Sequence, residues 1–296
     1  MKSDKSHRPR RTVLPIPADT HGGGTTALMM PGGWNLPDGG THYPSEAQHI
    51  LSRQWRQDWE RVAELRKKSR LVVVHDGDAI EGDHHNTHQI IHKSKGVHEE
   101  IHTDCMDWGL QTAKFNRKKG DRLYYVHGTL AHNGTGAENN IAKDLDAVPF
   151  IKGTAERKYR DASYVFPHLK MNVNGVLFDI AHHGPTAGGR IWTQGNSLRA
   201  TIKDIYYRCL DKKMPVPRYW IRAHYHEFAH EIYTGSQGTI EGFILPAFQL
   251  KTHYGHRVAS HKLADIGMLI VVVEEDGRTW WECPMISYDE TPVEVL

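Results

Sequence analysis

The stretch Leu71-Val72-Val73-Val74-His75-Asp76-Gly77-Asp78-Ala79-Ile80-Glu81-Gly82 contains the strongest structural signal in the chain. Four aliphatic residues in succession predict a strand that is buried on both faces, as in a parallel sheet. The glycines and carboxylates that follow predict a turn at the carboxyl end of that strand, which is where open α/β sheets bind their ligands. We therefore expect Asp78 to face a binding site, although an Asp at such a position can also serve only as a turn or helix-capping residue.

The segments around this strand predict repeated strand and helix units. Further strands are predicted at residues 12–18 and 122–127, and each is followed by a polar loop that contains glycine. Apolar residues near helical spacing predict helices at residues 45–68, 97–116 and 137–146. The resulting β-α-β-α-β-α order is typical of a parallel sheet with crossover helices.

The second half of the chain predicts antiparallel pairing. Asn174-Gly175 separates two alternating runs, and this dipeptide in such a setting is the strongest short signal of a β-hairpin. A helix at residues 197–211 and a strand at 218–222 follow, and the remaining strands are predicted at 228–233, 239–245, 266–274 and 278–283. Parallel units followed by hairpins predict the α/β (α+β) class, with two packed mixed sheets flanked by helices.

Composition restricts the functional classes that this chain can serve. Histidine occurs 22 times, and imidazole is the commonest transition-metal ligand, so a metalloprotein is the first hypothesis. Three widely spaced cysteines support neither a disulfide framework nor a cysteine-based zinc site, and they favour a reduced, cytoplasmic setting. A net charge of +2 and a pI near 8.3 neither require nor exclude a nucleic-acid partner.

The chain is expected to form one domain. Residues 1–11 are basic and polar and predict a flexible arm, and residues 12–296 predict a single domain with a glycine-rich loop at 22–44. No run is apolar and long enough to cross a bilayer, so no membrane partner is expected. No pattern in the sequence indicates the oligomeric state.

Aspartate and histidine residues follow five of the predicted strands. They are Asp19 with His21, Asp78, His132, His182 with His183, and His224 with His226. Residues at i and i+2 of an extended segment point to the same side, so both members of such a pair can face one site. Mixed carboxylate and imidazole ligands suit zinc, manganese or iron in a hydrolytic centre, whereas structural zinc favours thiolates. Recurrence at five strand ends favours one shared metal site over five separate surface clusters.

The order Asp-x-His, Gly-Asp-x-x-Glu-Gly, Gly-Thr-x-x-His, His-His-Gly and Ala-His-x-His resembles that of the calcineurin-like metallophosphoesterase superfamily, and especially its bacteriophage-type branch. The resemblance covers roughly residues 13–246. It implies a four-layer α/β/β/α sandwich and two divalent metal ions, with Mn²⁺ as first choice and Fe, Zn or Mg as alternatives. It also implies hydrolysis of phosphate mono- or diesters by a metal-activated water. Nucleic acid, as DNA, is one candidate substrate, and a phage-encoded protein would act in the host cytoplasm.

Matched by position, the resemblance implies a ligand set for each metal ion. The first ion would be held by Asp19, His21, Asp78 and His226. The second would be held by Asp78, His224 and one of His182 and His183, and His183 is preferred because Gly184 follows it directly. Asp78 would bridge the two ions, and Asp76 and Glu81 have supporting roles.

The third motif departs from the family pattern, because Thr129 stands where the family typically has an Asn ligand. His132 is expected to replace that ligand or to act as the general acid that protonates the leaving group. His85 is the second candidate for the acid. A histidine suits this role because its pKa is ordinarily near neutrality.

Two other functions are compatible with the sequence. His226-Glu227-Phe228-Ala229-His230 matches the H-E-x-x-H motif of zinc metalloproteases, which works only on a helix, where His226 and His230 share a face. The strand-like residues on both sides of this segment argue against that function. The altered third motif is also compatible with a non-catalytic metal-binding or interaction protein on the same fold.

Overall fold

The computed structural model describes residues 10–83, 89–134, 136–150, 163–188, 190–258 and 262–288 of the chain. Its strands are β1 (Thr12–Ile16), β2 (Trp34–Asn35), β3 (Thr41–His42), β4 (Arg70–Asp76), β5 (Arg122–Val126), β6 (Val165–Phe166), β7 (Leu169–Val173), β8 (Val176–Ile180), β9 (Tyr219–Arg222), β10 (Ala229–Gly235), β11 (Gly238–Ile244), β12 (Ala264–Gly267), β13 (Leu269–Val273), β14 (Thr279–Glu282) and β15 (Met285–Tyr288). Its α-helices are α1 (Glu46–Arg66), α2 (Lys95–Thr112), α3 (Leu130–Asn133), α4 (Ala137–Asp144), α5 (Asn196–Asp211) and α6 (His253–Val258).

The larger sheet contains β4, the strand that was predicted from the aliphatic residues 71–74. Its six strands lie in the order β14-β13-β1-β4-β5-β6. The strands β1, β4, β5 and β6 are parallel, and β13 and β14 extend the sheet through antiparallel pairs. Because β4 lies between β1 and β5 and both of its faces are covered, residues 71–74 are all buried.

The smaller sheet has five strands in the order β10-β11-β9-β8-β7. The predicted hairpin joins β7 to β8, and Val173 pairs with Val176 across its Asn174-Gly175 turn. The pairs β8–β9 and β9–β11 are parallel, so this sheet is mixed as well. The loops that leave the carboxyl ends of β8 and β9 carry His182 and His224.

Three buried clusters separate four layers. Val73 of β4 packs into the cluster that α1, α2 and α4 cover, whereas Val74 packs between the two sheets with Phe178 of β8. On the far side of the smaller sheet, Trp220 of β9 packs with Ile202 of α5. The layers are therefore helices, sheet, sheet and helix, which confirms the predicted four-layer α/β/β/α sandwich.

The helix α1 begins where the sequence predicts it. The Oγ of Ser45 accepts a hydrogen bond from the backbone N–H of Gln48 at 3.2 Å, and Oε1 of Gln48 accepts one from the N–H of Ser45 at 3.1 Å. This reciprocal capping box satisfies two N–H groups at the helix start. Trp55 and Trp59 are fully buried on the inner face, and Nε1 of Trp55 donates to the carbonyl of Cys105 in α2 at 3.1 Å.

The C-terminal strands differ from the prediction. The single strand expected at residues 266–274 is divided at Gly267, whose φ is 153°, into β12 and β13. As a result β13 joins the larger sheet, while β12 pairs with β15, which the sequence did not predict. The sequence also did not predict β2, β3 and α6, because segments of two to six residues have too few positions to show a periodicity.

In the part of the chain that the structure describes, no helix is both apolar and long enough to cross a bilayer. Of the predicted basic arm, only Arg10 and Arg11 belong to the described residues. His85, the second candidate for the general acid, lies outside them.

Candidate metal centre

The loops that follow β1 and β4 lie side by side at the carboxyl edge of the larger sheet. The N–H of Asp19 donates to the carbonyl of Gly77 and the N–H of His21 donates to the carbonyl of Asp78, both at 3.1 Å. These bonds continue the parallel pairing beyond the ends of the strands. The two predicted carboxylate ligands are therefore neighbours because their strands are neighbours.

Five of the predicted ligands have a left-handed backbone. The φ angle is 48° at Asp19, 46° at His21, 48° at Asp78, 78° at His224 and 54° at His226. The other described non-glycine residues with positive φ are Lys67, Lys114, Asp146, Asn174 and Lys213, which follow helices or form the β7–β8 turn. The i and i+2 pairs thus share a site through tight turns, and not through the extended backbone that the sequence suggested. Backbone strain of this kind concentrates at functional sites, where it fixes side-chain direction.

Asp19, His21 and His226 form the first ligand group. Nε2 of His226 lies 3.4 Å from Oδ1 of Asp19 and 3.2 Å from Nε2 of His21. The second oxygen of Asp19, Oδ2, accepts the backbone N–H of His224 at 3.0 Å, so the turn that carries His226 is bonded directly to this carboxylate. Oδ1 is buried and has no hydrogen-bond partner. The ligand atoms of the three residues lie within 4.8 Å of one another, which is close enough for one metal ion.

Asp78, His182 and His224 form the second group, and its ligand atoms meet the same distance limit. Nε2 of His182 lies 3.1 Å from Oδ2 of Asp78 and 3.7 Å from Oδ1 of Asp19, so this imidazole faces both groups. Nδ1 of His182 donates to the carbonyl of Asp76 at 2.6 Å. That bond leaves Nε2 as the nitrogen available to a metal, as is usual for a ligating histidine.

The third motif contacts the centre through Asp78. Oδ1 of Asp78 accepts hydrogen bonds from the N–H of Thr129 at 2.6 Å, from its Oγ1 at 2.9 Å, and from Nδ2 of Asn133 at 2.9 Å. Gly128 permits this approach, because a Cβ there would lie 2.1 Å from the backbone nitrogen of Asp78. Oδ2 is buried without a hydrogen-bond partner, so it is the oxygen that Asp78 offers to metal ions.

The structure places His182, and not the preferred His183, in the second group of candidate ligands. His182 is 1% exposed, whereas the side chain of His183 is exposed and packs its ring on that of His224, with centroids 4.6 Å apart. Gly184, which suggested His183, has a different reason for being glycine: a Cβ there would lie 2.6 Å from Cβ of Arg222. His182 therefore belongs to the second candidate group, and His183 lies at the rim of the centre.

Electrostatics shows that these groups require positive charge. Burial alone would raise the pKa of Asp19, but the neighbouring imidazoles, His182 first, hold it well below its usual range. Burial alone would lower the pKa of His182, but Asp19 and Asp78 raise it to about 10. The pKa of His21 is likewise raised to about 10, because Asp19 and Glu81 outweigh burial. Without a metal ion, protons on the imidazoles balance the buried carboxylates.

His132 lies beside the first group. Its Nδ1 donates to the carbonyl of Glu81 at 2.9 Å, and its ring meets that of His21 edge-on with centroids 4.5 Å apart. Burial and the charge of His21 lower the pKa of His132 to about 4. The ring is therefore neutral near pH 7, and its Nε2 carries a lone pair. His132, His21 and Glu81 form a third group whose ligand atoms lie within 4.8 Å of one another.

Glu81 has a defined supporting contact. Its Oε2 lies 3.2 Å from Nδ1 of His21 and accepts a hydrogen bond from Nε2 of Gln249 at 2.5 Å. A carboxylate that holds one nitrogen of a histidine directs the other nitrogen toward the metal. Gln249 belongs to no motif, so sequence reasoning could not find it.

A buried network supports the turn between Asp19 and His21 from the opposite side. Oγ1 of Thr20 lies 3.1 Å from Nε2 of His75 and 2.8 Å from Nδ1 of His102, whose Nε2 lies 2.9 Å from the hydroxyl of Tyr125. Burial lowers the pKa of both histidines, so they act as neutral hydrogen-bonding groups. Part of the histidine excess therefore builds the scaffold, and no pattern in the sequence distinguishes these structural histidines from the candidate ligands.

The H-E-x-x-H segment does not have protease geometry. His230 lies in strand β10 and its Nε2 is 3.0 Å from Oε2 of Glu241, while Oε2 of Glu227 accepts from Nζ of Lys262 at 2.9 Å. His226 alone of the motif points to the centre. Because His226 and His230 are not on one helix, they cannot share a helical face.

The donor set fits divalent metal ions. Three buried atoms without hydrogen-bond partners face one another: Oδ1 of Asp19, Oδ2 of Asp78 and Nε2 of His182. An unsatisfied buried acceptor costs free energy unless a proton or a cation supplies the missing interaction. Carboxylate and imidazole together are ligands for zinc, manganese and iron.

Comparisons with known proteins give distant likenesses. No family model and no curated protein matches the chain. A conserved uncharacterised protein from Streptococcus pneumoniae, described as a predicted phosphoesterase, matches over 93% of this chain and 98% of its own, with 8% identity and a TM-score of 0.32. The SoxB sulfate thiohydrolase of Thermus thermophilus matches over 93% of this chain and 56% of its own, with 10% identity and a TM-score of 0.35.

A 5'-nucleotidase from Candida albicans matches over 94% of this chain and 52% of its own, with 12% identity and a TM-score of 0.38. Such low TM-scores and identities assign no activity to the chain.

Proposed function

We propose that this protein is a phosphoesterase that uses two divalent metal ions to hydrolyse phosphate mono- or diesters. The observation that supports this proposal is the pair of adjacent ligand groups, each with one carboxylate and two imidazoles. In both groups the carboxylate has one oxygen held by protein donors and one buried oxygen without a hydrogen-bond partner. A single metal site would leave one of these groups unexplained.

The chain itself would divide the work between the two groups. The first ion would be held by Asp19, His21 and His226, and the second by Asp78, His182 and His224. Two such ions supply a water nucleophile at neutral pH and neutralise the charge of the phosphate. Mixed carboxylate and imidazole donors make Mn²⁺ our first choice, with Fe, Zn or Mg as alternatives. Asp78 would act as a ligand through Oδ2, because Oδ1 accepts hydrogen bonds from three donors, and the resemblance to the superfamily implies that it serves both ions.

His132 would act through Nε2, because its Nδ1 is bonded to the carbonyl of Glu81. A pKa of about 4 leaves Nε2 unprotonated at neutral pH, which favours His132 as an additional ligand or proton acceptor over the general-acid role expected from the sequence. His85 remains the second candidate for the general acid. Glu81 would keep Nε2 of His21 directed at Asp19 and His226.

The test is metal-dependent hydrolysis of bis(p-nitrophenyl) phosphate and p-nitrophenyl phosphate. We expect activity after chelation and reconstitution with Mn²⁺, and we expect Asp78→Asn to lower kcat/KM by about 10³-fold, or about 4 kcal/mol. Asp83→Asn is the matched control, because Asp83 is exposed and lies just beyond the motif. The control should retain the parent activity.

The same assay separates the alternatives. Absence of turnover with every divalent metal in a protein that binds metal would favour the non-catalytic metal-binding protein. Glu227→Gln and His230→Ala would abolish a protease but should leave phosphoester hydrolysis within about threefold, since neither residue faces the centre. A panel of single-stranded DNA, duplex DNA, nucleotides and phosphopeptides would then choose among substrates, with a DNA nuclease as one outcome.

A further inference from the structure

The edge of the larger sheet opposite the metal centre is basic. Arg11 precedes β1, Arg70 begins β4 and Arg122 begins β5, so the amino ends of three parallel strands carry arginine. At about 3.3 Å per residue, β4 separates Arg70 from Asp76 by roughly 20 Å. The cations of this edge are therefore remote from the candidate ligands.

Hydrogen bonds show that separate segments form one surface at this edge. Nη1 of Arg10 donates to the carbonyl of Lys119 at 2.9 Å, and Nη1 of Arg11 donates to the carbonyl of Leu65 at 2.6 Å and to Oγ of Ser69 at 2.9 Å. Arg10, Arg11, Lys67 and Lys68 also line one cleft of about 790 Å³, in which these cations and Arg61 outnumber the two carboxylates, Glu64 and Glu275. The residues before β1, the end of α1 and the turn before β5 are thus contiguous.

Many of these cations have no carboxylate partner. Among the described residues, those at this edge that form no ion pair are Arg10, Lys67, Lys68, Arg70, Lys114, Lys118, Lys119 and Arg122. We call this set the basic end. All but the half-buried Arg70 are exposed. Burial lowers the pKa of Arg70, and the nearby positive charges of Arg10 and Arg122 lower it further.

Helix dipoles account for only part of the basic end. Lys67, Lys68 and Lys114 follow the C-terminal ends of α1 and α2, where a cation is favourable without any ligand. Lys118 and Lys119 lie in a 3-10 turn and Arg122 begins a strand, so that explanation does not apply to them. In sequence, Lys2, Lys5 and Arg8 precede Arg10 and Arg11.

We propose that the basic end binds the phosphate backbone of nucleic acid. A row of exposed Lys and Arg side chains from several segments matches the repeated charges of a polynucleotide, which supplies sequence-independent affinity by counterion release. A small phosphate ester would need one built pocket and not an extended surface. The proposal does not depend on the metal centre, although a nuclease or nucleotide-directed enzyme would gain a tether for its substrate.

An anionic membrane is the less favourable partner. Surfaces that bind bilayers combine cations with apolar side chains that enter the interface. Among the large apolar side chains that are exposed in the described chain, Trp280 is the one with a contact to this region. Its Nε1 donates to Oε1 of Glu274 at 3.4 Å, and Glu274 is the ion-pair partner of Arg11. The basic end otherwise presents charged and polar groups.

The experiment measures binding of a fluorescein-labelled DNA duplex of about 20 base pairs by fluorescence anisotropy, over a salt series in EDTA. Chelation excludes binding through a metal ion. We expect the parent protein to bind at low salt, and we expect Lys118→Glu/Lys119→Glu and Lys67→Glu/Lys68→Glu each to weaken affinity about tenfold and to reduce the salt slope by about 2. Combining the two pairs should weaken affinity about a hundredfold.

The matched control is Lys203→Glu/Lys212→Glu, which makes the same charge change at two exposed positions in the opposite outer layer, one in α5 and one directly after its last residue. The control should change affinity less than twofold. An equal loss in the control, or no binding by the parent at low salt, would overturn the proposal. Tighter binding to vesicles that contain anionic phospholipid than to DNA would assign the surface to a membrane instead. Asp78→Asn should bind DNA as the parent does. The binding result can therefore be interpreted even if the proposed phosphoesterase activity is not found.

Discussion

The two ends of strand β4 place opposite chemistry about one strand length apart. At the amino end, cations are exposed and the nearest buried carboxylate, Asp121, has three protein donors: Arg66, the N–H of Leu71 and the N–H of Asn116. At the carboxyl end, Asp19 and Asp78 are equally buried but each keeps one oxygen without a hydrogen-bond partner. At the amino end, protein donors therefore satisfy the buried carboxylate. At the carboxyl end, the unpartnered carboxylate oxygens still need a proton or a cation.

The largest effect is expected at the amino end, where the carboxylate is satisfied. Asp121→Ala should lower the free energy of unfolding by about 3–5 kcal/mol, because it leaves the guanidinium of Arg66 buried without its charge partner. The side chains of Arg66 and Asp121 are only 8% and 1% exposed. Urea unfolding of the parent and the variant measures the difference.

A nearby exposed pair is the control for this prediction. Arg117 and Asp146 form an ion pair of 3.0 Å, with side chains 39% and 78% exposed. Asp146→Asn should cost at most about 1 kcal/mol, because exposed ion pairs contribute little and Asn tolerates the positive φ of this position. Equal destabilisation by the two variants would show that Asp121 has no special structural role, and the contrast between the two ends would weaken.

The next effect concerns the two adjacent histidines at the carboxyl end. His182→Ala should reduce kcat/KM by about 10²–10³-fold, or about 3–4 kcal/mol, and should remove one metal ion from the purified protein, because Nε2 of His182 faces both carboxylates. His183→Ala should change kcat/KM less than about fivefold and leave metal content unchanged. Phosphoester kinetics with elemental analysis measures both. The reverse result would return the ligand role to His183.

The sequence predicted the carboxyl end better than the amino end, for a physical reason. Aspartate and histidine residues directly after predicted strands are few and chemically distinctive, so Asp19, His21 and Asp78 were candidate ligands from the sequence, and the structure brings them together. The strands and the hairpin at Asn174-Gly175 were predictable for the same reason, since burial and turn geometry impose local patterns.

Features that depend on packing between distant segments were not predictable. The orientation of His182 depends on a hydrogen bond to the carbonyl of Asp76, 106 residues away in sequence, and the support of Glu81 depends on Gln249, 168 residues away. The basic end was not predicted because its cations come from three distant stretches of sequence, at residues 10, 67–70 and 114–122, and the net charge of the chain is only +2. Net charge is a sum over the whole surface, whereas binding depends on its distribution.

Asp58 extends the comparison to a buried carboxylate elsewhere in the fold. It has an oxygen without a hydrogen-bond partner, but it lies at neither end of β4. It is 1% exposed; Oδ1 accepts from Nε2 of Gln54 at 2.7 Å, and Oδ2 has no hydrogen-bond partner. No described group of metal-ligand geometry includes Asp58, in contrast to Asp19 and Asp78. Burial therefore raises the pKa of Asp58 to about 8, so a proton takes the place that we assign to a metal ion at the carboxyl end.

This difference predicts the smallest effect per pH unit, a pH dependence of stability that Asp58→Asn removes. Between about pH 4 and pH 8, Asp58 is protonated in the folded chain and ionised in the unfolded chain, so stability falls as pH rises, by at most about 1.4 kcal/mol per pH unit. The variant lacks this proton and should gain up to about 1 kcal/mol per pH unit relative to the parent over that range. Urea unfolding from pH 5 to pH 8 in EDTA measures the gain, with exposed Asp146→Asn as the variant that should show none. Parallel curves for the parent and Asp58→Asn would mean that Oδ2 of Asp58 is ionised and stabilised near neutrality. In that case, the unpartnered buried oxygens of Asp19 and Asp78 would not indicate a cation site either.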